Sequence, residues 1–259
     1  MPRFAANLTT LFTEMPMLDR FAAAAEAGFE GVEILFPYDI AAPELYRASV
    51  ASGMEIVLIN APPPNWAGGP RGFAAVPGLE ERFRRDFERS LRVAQVLRAR
   101  HIHIMAGRAE GAEAQATFVA NLAWATERAP HASLTIEPIN RTEVQGYFLA
   151  DYDLAIDIID RIAAPNLGLQ LDTYHAQAIT GDMLACWRKV APLVRHIQIA
   201  GSPGRHEPDH GDLDHPALFE ALDDWGYRGW VSAEYAPART TQGGLGWLAR
   251  ARVHATRPA

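Results

Sequence analysis

Four oxygen-bearing side chains recur in the second half of the chain, each near the end of a short apolar stretch. We call Glu137, Asp172, Gln198 and Glu234 the oxygen set. Carboxylates brought together repel one another and are costly to bury unpaired, so a cation would stabilise them. Oxygen ligands suit a hard ion such as Mg²⁺ or Mn²⁺ better than Zn²⁺. The residue types therefore predict a divalent metal site.

The alternation of apolar and polar residues predicts that these four side chains point to the same side of a sheet. In Ser133–Glu137, the apolar Leu134 and Ile136 occupy one face and leave Glu137 on the other. The same alternation occurs in Leu167–Asp172, Val194–Ala200 and Trp230–Glu234. Any one residue could be a polar strand end bonded to water or to a helix N-terminus. Four in consecutive strands favour a shared site.

Several polar residues in the loops after these strands are predicted to bind substrate. His175, Glu143 and Arg205 each follow a member of the oxygen set by no more than one loop. Because a guanidinium can donate two parallel hydrogen bonds to a carboxylate, Arg205 is expected to bind an acidic group. The alternatives are solvated loop charges at Glu143 and Arg205 and a helix cap at His175. Arg71 and Trp66, in a Pro- and Gly-rich loop, are predicted to form a lid.

Eight strand patterns alternate with eight helix patterns along the chain. The predicted strands are Phe4–Leu8, Val32–Phe36, Glu55–Asn60, His101–Met105, Ser133–Glu137, Leu167–Asp172, Val194–Ala200 and Trp230–Glu234. The predicted helices are Pro16–Ala27, Ala42–Ser52, Leu79–Ala99, Ala112–Arg128, Tyr152–Ile162, Met183–Val190, Pro216–Trp225 and Gly244–Val253. This alternation predicts an α/β protein, a single (β/α)8 TIM barrel domain over residues 1–259.

The rival architecture is a doubly wound open sheet. That fold usually has fewer strands, and its nucleotide-binding form carries a Gly-rich turn after the first strand. Here the first strand ends in Asn-Leu-Thr-Thr at 7–10. A barrel also places the oxygen set at the carboxyl ends of the strands, where barrel enzymes carry their active sites. Glu33 and His103 share the inward parity and are predicted to be interior hydrogen-bonding groups.

Composition narrows the function further. The chain has a net charge of −7 and one cysteine, Cys186, so nucleic acid is a disfavoured partner and an internal disulfide is excluded. Without a signal-peptide pattern or a long apolar run, we expect a cytoplasmic protein with no membrane partner. Lys189 is the only lysine and sits at the end of a predicted helix, which disfavours Schiff-base chemistry. The hydrophobic content of 49% is compatible with a homo-oligomer.

Four motifs together resemble the hydroxypyruvate isomerase family, which belongs to the xylose isomerase-like TIM barrels. They are Glu-Pro-Ile-Asn at 137–140, Gln-Leu-Asp-Thr-Tyr-His-Ala-Gln at 170–177, His-Ile-Gln-Ile-Ala-Gly at 196–201 and Gly-Trp-Val-Ser-Ala-Glu-Tyr at 229–235. The resemblance covers nearly the whole chain. The third-strand loop, with Pro-Pro-Pro-Asn-Trp at 62–66, departs from the family pattern.

The resemblance implies an isomerase that interconverts hydroxypyruvate and tartronate semialdehyde. Glu137 and Glu234 would transfer the proton through an enediolate held by the metal, and the oxygen set would bind the metal. In related sugar epimerases, the positions matching Glu143, His175 and Arg205 contact the substrate. The alternatives are a 2-oxo-tetronate isomerase, a ketose 3-epimerase, a metal-dependent DNA-cleaving barrel, and a catalytically silent relative that binds sugars or oxo acids.

Overall fold

Eight parallel strands close into a barrel in the computed structural model, which describes residues 2–61 and 71–254. The strands are β1 Arg3–Asn7, β2 Gly31–Glu33, β3 Glu55–Ala61, β4 His101–Ile104, β5 Ser133–Ile136, β6 Leu167–Asp172, β7 Val194–Ile199 and β8 Trp230–Ala233. Each strand pairs with its sequence neighbour, and β8 pairs with β1 to close the ring. The predicted (β/α)8 TIM barrel is confirmed.

Helices follow the strands and cover the outside of the barrel. They are α1 Met17–Glu26, α2 Ala42–Ala51, α3 Glu80–Leu97, α4 Gly111–Arg128, α5 Tyr152–Ile162, α6 Thr173–Thr180, α7 Met183–Val190, α8 His215–Trp225, α9 Thr241–Gly244 and α10 Gly246–His254. The helix α6 was not predicted, because it begins directly after β6 with no loop between them. The predicted helix Gly244–Val253 is also divided, since the short α9 precedes α10.

Asp172 explains why α6 can begin so abruptly. It ends β6 and is also the N-cap of α6, where its Oδ1 accepts a hydrogen bond of 2.8 Å from the backbone N–H of Tyr174. A carboxylate at this position satisfies one of the free N–H groups of the first helical turn. The cap also fixes the direction of the Asp172 side chain at the mouth of the barrel.

The predicted division of each strand into an apolar and a polar face is present in the structure. Leu134, Ile136, Leu169, Leu171, Ile197 and Ile199 are buried in the main hydrophobic core between sheet and helices. Inside the barrel, Trp230 packs with Ala5, Val57 and Leu58 as a separate apolar cluster. The inward residues farther along the strands are polar and buried, including Glu33, Gln170, His196 and Gln198. The interior thus changes from apolar to polar toward the carboxyl ends of the strands.

No helix in the described ranges, 2–61 and 71–254, is long and apolar enough to cross a bilayer.

Candidate active site

A cavity of about 560 Å³ lies at the carboxyl ends of the barrel strands. Its lining includes Glu137, Glu143, His175, Arg205, Glu234 and Arg71. Asp172 and Gln198, which are 0% and 1% exposed, lie buried against these residues. The structure therefore brings the oxygen set and four of the five predicted substrate-binding residues into one region. Trp66, the fifth, lies outside the described residues.

Arg205 connects two members of the oxygen set. Its Nη2 donates to Asp172 Oδ2 at 2.6 Å and to Glu234 Oε1 at 2.9 Å. Burial alone would lower the pKa of Arg205, but the carboxylates of Asp172 and Glu234 raise it, so the guanidinium stays charged. Its Nε is buried and lacks a hydrogen-bond partner among the described residues.

Gln198 belongs to a chain of hydrogen-bonded amides and carboxylates beneath the cavity. Its Nε2 donates to Glu33 Oε1 at 2.8 Å and also contacts Glu234 Oε2. Its Oε1 accepts a hydrogen bond of 2.7 Å from Gln170 Nε2, which also donates to Glu137 Oε2 at 3.1 Å. Two carboxylates therefore face the amide nitrogen of Gln198, and its oxygen faces Gln170.

The two glutamates at the cavity have raised pKa values. Burial raises the pKa of Glu137 well above its usual range, and repulsion from Asp172 and Glu234 adds to this effect. Burial also raises the pKa of Glu234 to about 8, despite the opposing influence of Arg205. With a pKa of about 8, the carboxyl group of Glu234 can both accept and donate a proton at physiological pH.

His175 faces the same carboxylates from the first turn of α6. Its Nε2 lies 3.7 Å from Asp172 Oδ2 and 4.0 Å from Glu137 Oε1. Ligand atoms of Glu137, Asp172 and His175 all lie within 4.8 Å of one another, a grouping that could hold a metal ion. Burial lowers the pKa of His175 to about 4, so the ring is neutral at pH 7.

The structure adds two residues that the sequence reasoning missed. Asn140 is buried and contacts His175 Nδ1 through its Nδ2 at 2.8 Å. Tyr174 donates its hydroxyl proton to Glu143 Oε1 at 2.9 Å, and Arg205 lies over its ring. Both residues fall inside the quoted motifs, but no periodicity singles them out, because each acts through a partner on a different element.

Three further residues have structural rather than catalytic surroundings in the described part of the chain. The Lys189 ammonium pairs with Asp153 and is absent from the cavity lining. Cys186 is buried, and burial raises the pKa of its thiol to about 12, so it is a packing residue rather than a nucleophile. Glu33 accepts hydrogen bonds from Asn7 and Gln198, as predicted for an interior hydrogen-bonding group.

The chain belongs to the xylose isomerase-like TIM barrel family, whose model matches residues 21–251. The 2-oxo-tetronate isomerase of Cupriavidus necator is 47% identical over 254 residues, which is 96% of this chain and 98% of that protein. The hydroxypyruvate isomerase of Escherichia coli is 37% identical, with 96% and 98% covered. A solved structure titled AP endonuclease, family 2, from Brucella melitensis has a TM-score of 0.93 and 44% identity, covering 96% of this chain and 99% of that one.

Buried neutral histidines predict that the protein loses stability in acid. Burial lowers the pKa values of His101, His103, His175, His196 and His215 to between about 2 and about 4. Between pH 6 and pH 4 the unfolded chain binds protons at these positions and the folded chain does not. The free energy of unfolding therefore falls as the pH is lowered, by roughly 1 kcal/mol per pH unit for each such histidine. Chemical denaturation at several pH values measures this slope.

A matched pair of variants tests whether the buried histidines cause the loss of stability in acid. His101→Gln is expected to reduce the acid slope, whereas His131→Gln, at an exposed position, is expected to leave it unchanged. An equal slope in the wild type and in His101→Gln would contradict the explanation.

Proposed function

We propose that this chain interconverts hydroxypyruvate and tartronate semialdehyde by proton transfer between carbons. The observation that carries the proposal is the pair of buried glutamates, Glu137 and Glu234, on one cavity with raised pKa values. The full-length isomerase relatives support the reaction class.

The two glutamates supply the acid and the base that this reaction needs. Hydroxypyruvate carries a carbonyl at C2 and a hydroxymethyl group at C3. One glutamate, as carboxylate, removes a proton from C3; the electron pair forms the C2–C3 double bond, and the C2 carbonyl oxygen becomes an enediolate oxygen. The hydroxyl proton on O3 passes to O2, and the C3–O bond becomes a carbonyl as the other glutamate, as carboxylic acid, delivers a proton to C2. Each glutamate is expected to raise the rate by roughly 10²–10⁴-fold.

The residues around the cavity fit a divalent cation. Glu137, Asp172 and Glu234 are buried carboxylates, and the Arg205 guanidinium bridges two of them. These oxygens would hold Mg²⁺ or Mn²⁺. Gln198 belongs to the proposed ligand set, but here its Nε2 faces Glu234 and its Oε1 faces Gln170, so its amide would have to turn to offer an oxygen to the ion. When bound, the ion would act as a Lewis acid on the oxygens of the substrate.

Arg205 is the residue proposed to orient the acid group of the substrate. Its side chain lines the cavity and is 20% exposed, so the guanidinium can meet a substrate carboxylate there. Arg71 is exposed on the lining of the same cavity and could supply a second positive charge. Glu143, held by Tyr174, is placed to accept a hydrogen bond from a substrate hydroxyl.

A four-carbon substrate is the second candidate. The relative that is 47% identical is named 2-oxo-tetronate isomerase, and the cavity of about 560 Å³ leaves room for a longer acid. Both substrates present the same oxo and hydroxyl carbons to the glutamates. The ratio of kcat/KM for the two acids decides between them.

We propose a small oxo or hydroxy acid as the partner, and no nucleic acid. The net charge of −7 opposes the phosphate backbone, although one similar solved structure is titled as an endonuclease. Incubation with DNA containing an abasic site is expected to give no cleavage. The single buried cysteine is in keeping with the cytoplasm, the location we propose. A homo-oligomer stays a prediction.

Proton NMR of hydroxypyruvate with the purified protein in D₂O tests the function directly. We expect aldehyde product that carries solvent deuterium, because the abstracted proton exchanges with water. Chelation is expected to remove the activity, and Mg²⁺ or Mn²⁺ to restore it. Product that persists after verified metal removal would refute the role of the ion. Without product from hydroxypyruvate or 2-oxo-tetronate, the isomerase proposal fails.

A further inference from the structure

The orientation of the Asn140 side chain is fixed by a backbone group. Its Oδ1 accepts a hydrogen bond of 2.9 Å from the backbone N–H of Glu143. A backbone N–H can only donate, so the atom facing it must be the amide oxygen. The amide NH₂ of Asn140 consequently lies on the other side, toward His175. This assignment does not depend on the histidine.

The same geometry determines which ring nitrogen of His175 carries the proton. Asn140 Nδ2 lies 2.8 Å from His175 Nδ1, and the backbone N–H of Asn140 points to the same atom at 3.5 Å. Both groups are donors, so Nδ1 must accept. The two side chains are 4% and 2% exposed, which leaves little access for water as a competing partner. A neutral ring in this environment carries its proton on Nε2.

The Nε2–H group of His175 points toward the reactive carboxylates. Its distances to Asp172 Oδ2 and Glu137 Oε1, 3.7 and 4.0 Å, exceed hydrogen-bond length. The ring lines the cavity, so a ligand oxygen could approach this donor. A nitrogen that carries a proton has no lone pair to give a metal. His175 thus differs from Glu137 and Asp172, although the three lie close enough to form a metal site.

We propose that Asn140 is a positioning residue that holds His175 in its Nε2–H tautomer, so that His175 donates a hydrogen bond to a substrate oxygen and stays outside the metal's ligands. The last step rests on the proposed function, whereas the tautomer does not. An oxygen that gains negative charge during proton transfer is stabilised by such a fixed donor.

NMR can identify the tautomer of His175 in the absence of substrate turnover. Long-range ¹H–¹⁵N spectra of protein labelled at histidine are recorded, and His175→Ala identifies the signals of residue 175. We expect a protonated Nε2 and an unprotonated Nδ1, unchanged when Mg²⁺ alone is added. A proton on Nδ1 in the wild type would overturn the proposal, as would loss of the Nε2 proton with Mg²⁺.

Asn140→Asp tests the cause of the tautomer. A carboxylate accepts where the amide donated, so His175 is expected to gain a proton on Nδ1. Arg141→Gln, at the exposed position beside Asn140, is the control, and the spectrum should stay as in the wild type. An unchanged His175 signal in Asn140→Asp would refute the role of Asn140. If that variant does not fold, Asn140→Ala is used, with mixed tautomers expected.

Kinetics test whether Asn140 acts through His175. Asn140→Asp is expected to lower kcat by roughly 10²-fold with a smaller change in KM, as for removal of one fixed donor. In the His175→Ala background, the same substitution should change kcat by less than about twofold, since the two residues act as a unit. Equal effects in both backgrounds would contradict the positioning role. If the wild type shows no turnover, the proposed function fails while the NMR result still stands.

Discussion

Glu137→Gln and Glu234→Gln are each expected to abolish isomerisation while the barrel remains folded. Each variant removes a proton donor or acceptor and keeps the shape of the side chain. We expect kcat to fall by at least roughly 10²–10⁴-fold, the usual contribution of a general acid or base. Folding should survive, because an amide avoids the cost of ionising a buried carboxyl group. Product formation by NMR and thermal unfolding measure the two effects.

Exchange of substrate protons with D₂O separates the roles of the two glutamates. The variant that keeps the base is expected to exchange the C3 protons of hydroxypyruvate without forming product, and the variant that lacks it should do neither. Glu113→Gln, at an exposed position in α4, is the control and should retain full activity. Activity close to the wild type in Glu137→Gln or Glu234→Gln would disprove the pairing.

Arg205→Met is expected to impair both binding and stability. The substrate acid group loses its partner, so we expect kcat/KM to fall by roughly 10²–10³-fold, mainly through KM. In the metal-free protein, Asp172 and Glu234 also lose the guanidinium that bridges them. Removal of one partner of a buried ion pair costs about 3–5 kcal/mol. Steady-state kinetics and denaturant unfolding measure these losses.

The loss of stability in Arg205→Met is expected to be larger at high pH than at low pH. At low pH the Glu234 carboxyl group can take a proton, since its pKa is raised to about 8, and it then needs no cation. Destabilisation by Arg205→Met should therefore grow as the pH rises toward 9. Mg²⁺ should restore more stability to the variant than to the wild type. Arg205→Lys keeps the charge and should be milder. Wild-type KM and stability in Arg205→Met would contradict these roles.

The raised pKa values of Glu33 and Glu234 also make the stability of the metal-free wild type depend on pH. The unfolded chain releases these protons near pH 4.5, while burial holds them on Glu33 to about pH 7 and on Glu234 to about pH 8. The folded state consequently binds more protons between these limits, and stability falls as the pH rises. Together with the acid loss from the histidines, this places the maximum near neutral pH.

Sequence periodicity was sufficient to predict the barrel and to place the oxygen set together at one end of it. Strand parity depends only on the alternation of side chains along an extended backbone. The apolar Leu134 and Ile136 therefore sufficed to place Glu137 on the inner face, and repetition in the next three strands indicated one end of one barrel. The resemblance in the motifs identified the family, which the comparisons confirm.

Tertiary structure alone decided which polar atoms meet. Arg205 contacts Asp172 and Glu234 from a loop, and Asn140, in the loop after β5, contacts His175 in α6. Such pairs depend on the direction of each loop and on the turning of each amide, which neither periodicity nor residue type specifies. The helix α6 escaped prediction for a related reason, because its cap, Asp172, is also the last residue of a strand. The sequence determined which residues face the cavity, whereas the packed barrel determined their hydrogen bonds and the shifts of their pKa values.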